Sequence, residues 1–329
     1  MSASTSLLPV FDDVLAAAAR IAAHAHATPV LVSRALDKHA GARLAFKCEH
    51  LQRIGAFKFR GACNAVWMLD AASALRGVVT HSSGNHGAAL ALAAGGRGIA
   101  CHVVVPNGAV QAKLAAIQHY GAVLHRCAPN IQAREVMCAH VQAETGASVV
   151  HPYADARVIA GQGTAALELL TAHPDLDALV VPVGGGGLAA GTALAMQALA
   201  PRCRLYLAEP AGADDTARSF ARGALDHDLT PDTICDGLRG TLGAINFEIL
   251  QAANAQVLTV TDAQTIAAMR LLWSRTKQLV EPSSATALAA VLAYRQHFEG
   301  RKVGLVLSGG NVDLDALPAL WALAHGDQS

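Results

Sequence analysis

Lys58 stands between two phenylalanines in Gly55-Ala56-Phe57-Lys58-Phe59-Arg60-Gly61-Ala62. Apolar flanks partly desolvate a lysine, which disfavours the ammonium and makes the free amine a nucleophile toward an aldehyde. A lone lysine more often snorkels at the surface, so this segment needs company. Residues 81–87 read His81-Ser82-Ser83-Gly84-Asn85-His86-Gly87. Hydroxyls, an amide and open N–H groups at a helix start suit a carboxylate, although the same residue types also serve as plain caps. Gly184, Gly185, Gly186 and Gly187 join a strand to a helix. Such a loop turns backbone N–H groups inward at a positive helix end, and phosphate is its natural tenant. Ser308-Gly309-Gly310-Asn311 follows the last strand, where open α/β sheets place ligands.

The glycine loop does not say which phosphate it takes. Gly184, Gly186 and Ala189 fit a loose dinucleotide fingerprint, and Glu209 ends the next strand, where a ribose-binding acid would stand. A nicotinamide-dependent dehydrogenase is therefore a rival on that segment. Glu209 also opens a run to Asp215 with carbonyls between the two acids. That spacing suits a hard divalent ion, but alone it is more often a solvated acidic loop.

The elements that must hold these residues alternate. Short apolar runs at 77–80, 99–105, 122–127 and 148–151 read as strands, separated by helical patterns at 87–94, 110–120 and 131–145. A second series has strands at 178–183, 204–208, 257–260 and 303–307, with helices after the glycine loop, from Asp262 as cap to about 277, and over 282–298. Residues 211–245 are the least regular. Strands alternating with helices imply parallel sheets, and two series imply two lobes with the ligand in the cleft between them.

Bulk properties bound the rest. Of the 329 residues 53% are hydrophobic and only 4% aromatic, so the core must be aliphatic and alanine-rich. Lys+Arg and Asp+Glu are 25 each, which leaves no basic footprint for a nucleic acid. No apolar stretch reaches the ~20 residues of a membrane span, and residues 1–13 lack the pattern of a secretory signal, so a cytoplasmic location is expected. The seven scattered cysteines read as reduced buried thiols.

Together the lysine, Ser-Gly-Asn-His-Gly, tetraglycine and Ser-Gly-Gly-Asn segments resemble the fold-type II pyridoxal-phosphate (PLP) enzymes, the serine/threonine dehydratases and serine racemases. The resemblance runs from Thr28-Pro29 to Asn311, with the segments in the family's order. It implies an α/β, tryptophan synthase β-like fold of two domains, with mostly parallel sheets flanked by helices. Residues 1–75 and 151–329 would form the large PLP-binding domain and 76–150 the small substrate domain, with the active site in the cleft between them. It assigns Lys58 the Schiff base with PLP and the α-proton, with Phe57 beside it. Asn85 falls on the cofactor's phenolic oxygen, Gly184, Gly185, Gly186 and Gly187 on its phosphate, and Ser308 on its pyridine nitrogen. Ser82, Ser83, Asn85 and His86 match substrate-binding positions, and Ser83 also matches the second acid/base of the racemases.

The same resemblance gives Glu209, the Ala213 carbonyl and Asp215 to a divalent cation, Mg2+ with Ca2+ and Mn2+ as alternatives. Arg134 matches serine racemases and hydroxyaspartate dehydratases more than catabolic threonine dehydratases. A guanidinium near the cleft would pair with a second carboxylate. The expected activity is β-elimination from L-serine, L-threonine or L-threo-3-hydroxyaspartate to keto acid and ammonia. A racemase on the same site and a non-catalytic PLP binder are the alternatives. A homodimer is the family expectation. Departures qualify it: Ala56 replaces a frequent serine, and Ser284 a frequent glycine. Gly240 stands near a substrate-binding serine of the racemases, and Tyr153 replaces the asparagine of mammalian serine racemases, which argues against ATP activation. About twenty residues follow Asn311, so no C-terminal regulatory domain is expected.

Overall fold

The computed structural model describes residues 8–326. Its strands are β1 (Val30–Val32), β2 (Arg43–Lys47), β3 (Val78–His81), β4 (Cys101–Pro106), β5 (Val123–Cys127), β6 (Ser148–Val149), β7 (Ala178–Pro182), β8 (Arg204–Pro210), β9 (Gln256–Val260) and β10 (Lys302–Val306). They form a six-stranded sheet in the order β1-β2-β10-β7-β8-β9 and a four-stranded sheet in the order β5-β4-β3-β6. Among the described strands only the β1–β2 pair is antiparallel.

Every residue of β7 is buried, as a central parallel strand covered on both faces requires. Its side chains alternate between two cores. Leu179 and Val181 meet helix residues such as Ile159, Leu169 and Ala193. Ala178 and Val180 meet Leu36, Met269 and Leu288. The small sheet is covered likewise, by Leu90 and Ile117 on one face and by Cys138 and Val141 on the other. All seven cysteines are free, and six of them are buried.

Two chemistry-bearing segments open helices that pack on a common third helix. Helix Lys58–Trp67 starts at the lysine, helix Gly187–Leu199 starts at the glycine loop, and Ala156–Ala172 packs between them. Their backbones touch. A Cβ on Gly161 would lie 2.6 Å from Gly61 Cα, and one on Gly191 would lie 2.4 Å from the Ile159 carbonyl oxygen. Glycine is required here for close approach rather than for a turn.

A buried ion cluster fixes the first of these helices. Arg60, 1% exposed, makes two bonds to Glu49 (2.7 and 2.9 Å) and two to Glu168 (2.7 and 2.8 Å). Lys47 at the end of β2 bonds Glu168 and the Thr28 carbonyl (2.5 and 2.7 Å). The cluster thus ties β2, the chain after it and two helices together.

Two expectations for the helices are corrected. Helix Asp262–Thr276 is capped by Thr261, not Asp262; Thr261 and Gln264 form a reciprocal capping box. The Asp262 carboxylate instead receives Thr233 Oγ1 and Ile234 N (2.6 and 2.9 Å). The irregular 211–245 segment contains a short α-helix, Asp215–Arg222, and the helix expected over 282–298 ends at Ala293. Among the described residues no helix is long and apolar enough to cross a membrane.

Glu49→Ala removes two of the four charge-assisted bonds of the buried Arg60 and leaves Glu168 as its carboxylate partner, so it should lower the free energy of unfolding by about 3 kcal/mol. Urea denaturation with an unchanged slope checks this; an unmoved midpoint would contradict it.

Candidate active site

Lys58 is the first residue of its helix because the loop before it is strapped to the end of β10. Phe57 N donates to the Ser308 carbonyl (3.0 Å) and Gly310 N to the Gly55 carbonyl (2.9 Å). Ala56 and Gly309 form an antiparallel bridge. Gly55 has φ +71°, and a Cβ there would lie 2.7 Å from Asn311 Oδ1. Two motifs 250 residues apart in sequence are therefore one structural unit.

The Lys58 side chain is half-buried, and Nζ donates to the Pro152 carbonyl at 3.0 Å. Its Nζ also lies 5.1 Å from the centre of the Phe57 ring. Burial pushes its pKa down to about 8, against the upward pull of the Glu281 carboxylate. Around the amine lie the Pro152 carbonyl, the Phe57 ring and His86. The site therefore contains an amine that is largely free at slightly alkaline pH.

Asn85, at the start of helix Asn85–Arg97, is oriented from two sides. Its Nδ2 donates to Glu281 (3.1 and 3.3 Å), and its Oδ1 accepts from Asn311 Nδ2 (2.9 Å). Glu281 is buried and also accepts from Asn311 N at 3.1 Å. Burial, reinforced by Asp236, pushes the Glu281 pKa up to about 7, with Asn85 and Lys113 pulling it down. Ser82, Ser83 and Gly84 are half-buried in the turn before this helix. His86 is turned inward: its Nε2 faces the Val150 carbonyl at 3.3 Å, and burial together with Lys58 holds its pKa well below the ordinary value.

The four glycines form a packed cup. A Cβ on Gly185 would lie 2.3 Å from the Tyr153 ring, and one on Gly184 2.8 Å from Leu238 Cα. Gly186 has φ +89°, in the left-handed region that favours glycine. Asn246 Nδ2 donates to the carbonyls of Gly185 (2.5 Å) and Tyr153 (3.0 Å). The Gly185 carbonyl also accepts from Gly243 N and the Gly186 carbonyl from Ala190 N (3.2 and 2.8 Å). Ser308, 4% exposed, lies two residues past the end of β10.

Arg134 lies in the first turn of helix Ile131–Thr145. Burial lowers the pKa of His81, at the end of β3, while Glu135 raises it and Arg134 lowers it. Both charges thus sit by the strand end that leads into Ser82. Among the described residues, the buried Arg134 Nε has no partner.

Glu209 is fully buried and accepts from Thr216 N and Ala217 N, both at 2.9 Å. It is not open to a ribose, which removes the support for a dinucleotide. Asp215 accepts from Leu242 N at 2.7 Å, and its buried Oδ1 has no partner among the described residues. Burial pushes Glu209 up to about 8 and Asp215 to about 6. Ala213, buried, ends the 3-10 turn Ala211–Ala213 between them. No group of three His, Cys, Asp or Glu side chains converges among the described residues, so a carbonyl ligand would be needed to complete a metal set.

The sequence motifs single out Lys58, Ser308, Asn85 and the glycines, but give no site role to Glu281, Asn246 or Tyr153. An acid directly before the helix-starting Pro282 was the one available signal for Glu281.

In the cofactor-free protein, the most reactive amine toward an acylating reagent should gain reactivity with a midpoint near pH 8. Below that pH the ammonium is unreactive. Lys58→Ala should remove this component; a midpoint near the ordinary lysine value in the wild type would contradict it.

The profile of the pyridoxal-phosphate dependent enzyme family matches residues 21–309. A beta-hydroxyaspartate dehydratase from Paracoccus denitrificans is 48% identical over 311 residues, covering 94% of this chain and 99% of the relative. An L-threo-3-hydroxyaspartate ammonia-lyase from Saccharomyces cerevisiae is 42% identical, covering 94% and 95%. The structure of maize serine racemase superposes with a TM-score of 0.92 at 42% identity, over 98% of this chain and all of that one.

Proposed function

The chain belongs to the pyridoxal-phosphate dependent enzyme family, in its fold-type II group, and from that premise we propose that it is a lyase that removes water and ammonia from 3-hydroxyaspartate. The observation that carries the substrate choice is Arg134: a buried guanidinium nitrogen without a protein partner, beside the strand that leads into Ser82. A second substrate carboxylate would supply that partner, as charge-assisted pairing at a planar guanidinium favours. The dehydratase and ammonia-lyase relatives agree with this reading.

The residues fit the cofactor. The glycine cup, crowded by Tyr153 on one side and Leu238 on the other, offers its N–H groups to a phosphate. The desolvated Lys58 amine suits an aldehyde. The Ser308 hydroxyl, a neutral group, would face the pyridine nitrogen, and Asn85 the phenolic oxygen. PLP, when bound, supplies an electron sink for the bond broken at the substrate's α-carbon. Ser82, Ser83 and the N–H groups at the start of helix Asn85–Arg97 would hold the α-carboxylate. Lys58, free of its proton at working pH, would accept the α-proton at Nζ. The β-hydroxyl then leaves as water, and water returns to release ammonia and the 2-keto acid. On this reading residues 76–150 are the substrate domain and the remaining two segments are the cofactor domain.

Ser83 favours a second reading on the same site. Its hydroxyl, in the turn before helix Asn85–Arg97, could exchange the α-proton from another side, as a racemase needs. Gly240, which lacks the hydroxyl of the racemases, weighs against it.

We further propose a divalent cation, Mg2+ being the natural choice, between Glu209, the Ala213 carbonyl and Asp215. What supports it is two buried carboxylates, one with an oxygen that has no partner. Its role would be to hold the segment beside the glycine cup. A homodimer follows the family's habit.

Keto-acid release from threo- and erythro-3-hydroxyaspartate, L-serine and L-threonine tests the activity. Hydroxyaspartate should give the highest kcat/KM. Arg134→Leu should reduce that value by about 100-fold while moving L-serine by about threefold or less. A parallel fall for both substrates would contradict the carboxylate role. Saturating Mg2+ should raise the melting temperature of the chelator-treated protein by about 5 °C. Asp215→Asn should abolish the rise; the same rise in that variant would contradict the site.

A further inference from the structure

His151 follows β6, in the crossover from the small sheet to helix Ala156–Ala172. Its Nδ1 accepts two backbone N–H groups, from Tyr153 at 3.3 Å and Ala154 at 3.0 Å. A nitrogen whose lone pair is shared by two N–H donors carries no proton, so the ring is the Nε2–H tautomer. The groups around the ring agree. His81 packs edge-on at 5.1 Å and Tyr153 at 4.6 Å. Burial first, then His81 and Lys58, push the His151 pKa down to about 4, with Asp155 opposing.

The turn closed by this nitrogen touches both halves of the site. The Pro152 carbonyl holds the Lys58 amine at 3.0 Å. The Tyr153 ring lies where a Cβ on Gly185 would be, and the Tyr153 backbone lies against Gly187. The Tyr153 carbonyl receives Asn246 Nδ2, which also holds the Gly185 carbonyl. We propose that His151 is a positioning residue of the cofactor site: its unprotonated Nδ1 sets the Pro152–Ala154 turn, which aims the Lys58 amine and backs the glycine cup. This rests on the PLP reading above. It adds a residue that lies outside the lysine, serine and glycine motifs and works through its neighbours.

His151→Leu keeps the bulk and removes the acceptor. His151→Asn keeps an acceptor oxygen near the Nδ1 position. The readouts are the PLP dissociation constant of the protein, measured without turnover, and kcat against KM. Losing two buried hydrogen bonds should weaken PLP binding about tenfold or more in the Leu variant and lower kcat more than it raises KM. The Asn variant should recover to within about threefold of the wild type. Equal losses in both variants, or no loss in the Leu variant, would overturn the proposal. Should the Leu variant not fold, long-range 15N–1H spectra of the wild-type protein decide: the Nδ1–H tautomer or an imidazolium at pH 7 would overturn it. Wild-type protein that binds PLP yet releases no keto acid contradicts the lyase reading alone. Wild-type protein that binds no PLP sinks both.

Discussion

The distance between the lysine and the phosphate cup is set by helix backbones that touch. Helix Ala156–Ala172 lies between the helix that starts at Lys58 and the helix that starts at the glycine loop. It meets the first through Gly61 and Gly161 and the second through Gly163 and Gly191. With no Cβ at these crossings the helices have one depth of approach, and side-chain repacking cannot alter it. The Arg60 cluster then fixes the first helix against sliding, since four charge-assisted bonds to Glu49 and Glu168 hold one guanidinium. The chemistry-bearing residues sit at the ends of rigid elements, and the loop before Lys58 is strapped by backbone bonds to the residues after β10.

Within that frame the electrostatics favour neutral groups. Lys58 sits low for an amine because it is desolvated. His86 and His151 are held unprotonated, also by burial. Glu281 is raised toward neutrality and anchors Asn85 and Asn311. A crowded site of this kind costs folding stability, and the surrounding aliphatic cores offset it. The arrangement leaves a low-pKa amine, a neutral hydroxyl at Ser308 and a glycine loop at a helix start, which suits an anionic cofactor carrying an aldehyde.

Much of this was legible in the sequence, because strand and helix periods are local signals. The alternating series after residue 76 foretold β3 to β10 to within a few residues, and helix Ile131–Thr145 to the residue. The four motifs that hold the site were legible because glycine, serine and lysine in short strings leave little else to do. The rest depended on distance in the chain. β1 and β2 are short, and the large sheet completes itself through β10, some 255 residues later. Asn246 and His151 act on backbone groups far away in sequence or through a turn, so their residue types alone carried no signal, and Glu281 had only its place before Pro282. Thr261 rather than Asp262 caps its helix because Asp262 is recruited by Thr233 and Ile234, a tertiary contact that overrides local preference.

The most direct test of the account is borohydride reduction of the PLP-loaded protein followed by peptide mass mapping. One pyridoxyl-phosphate group is expected, attached to Lys58 in the peptide that contains Phe57 and Phe59. A group attached to another lysine, or none at all, would contradict it.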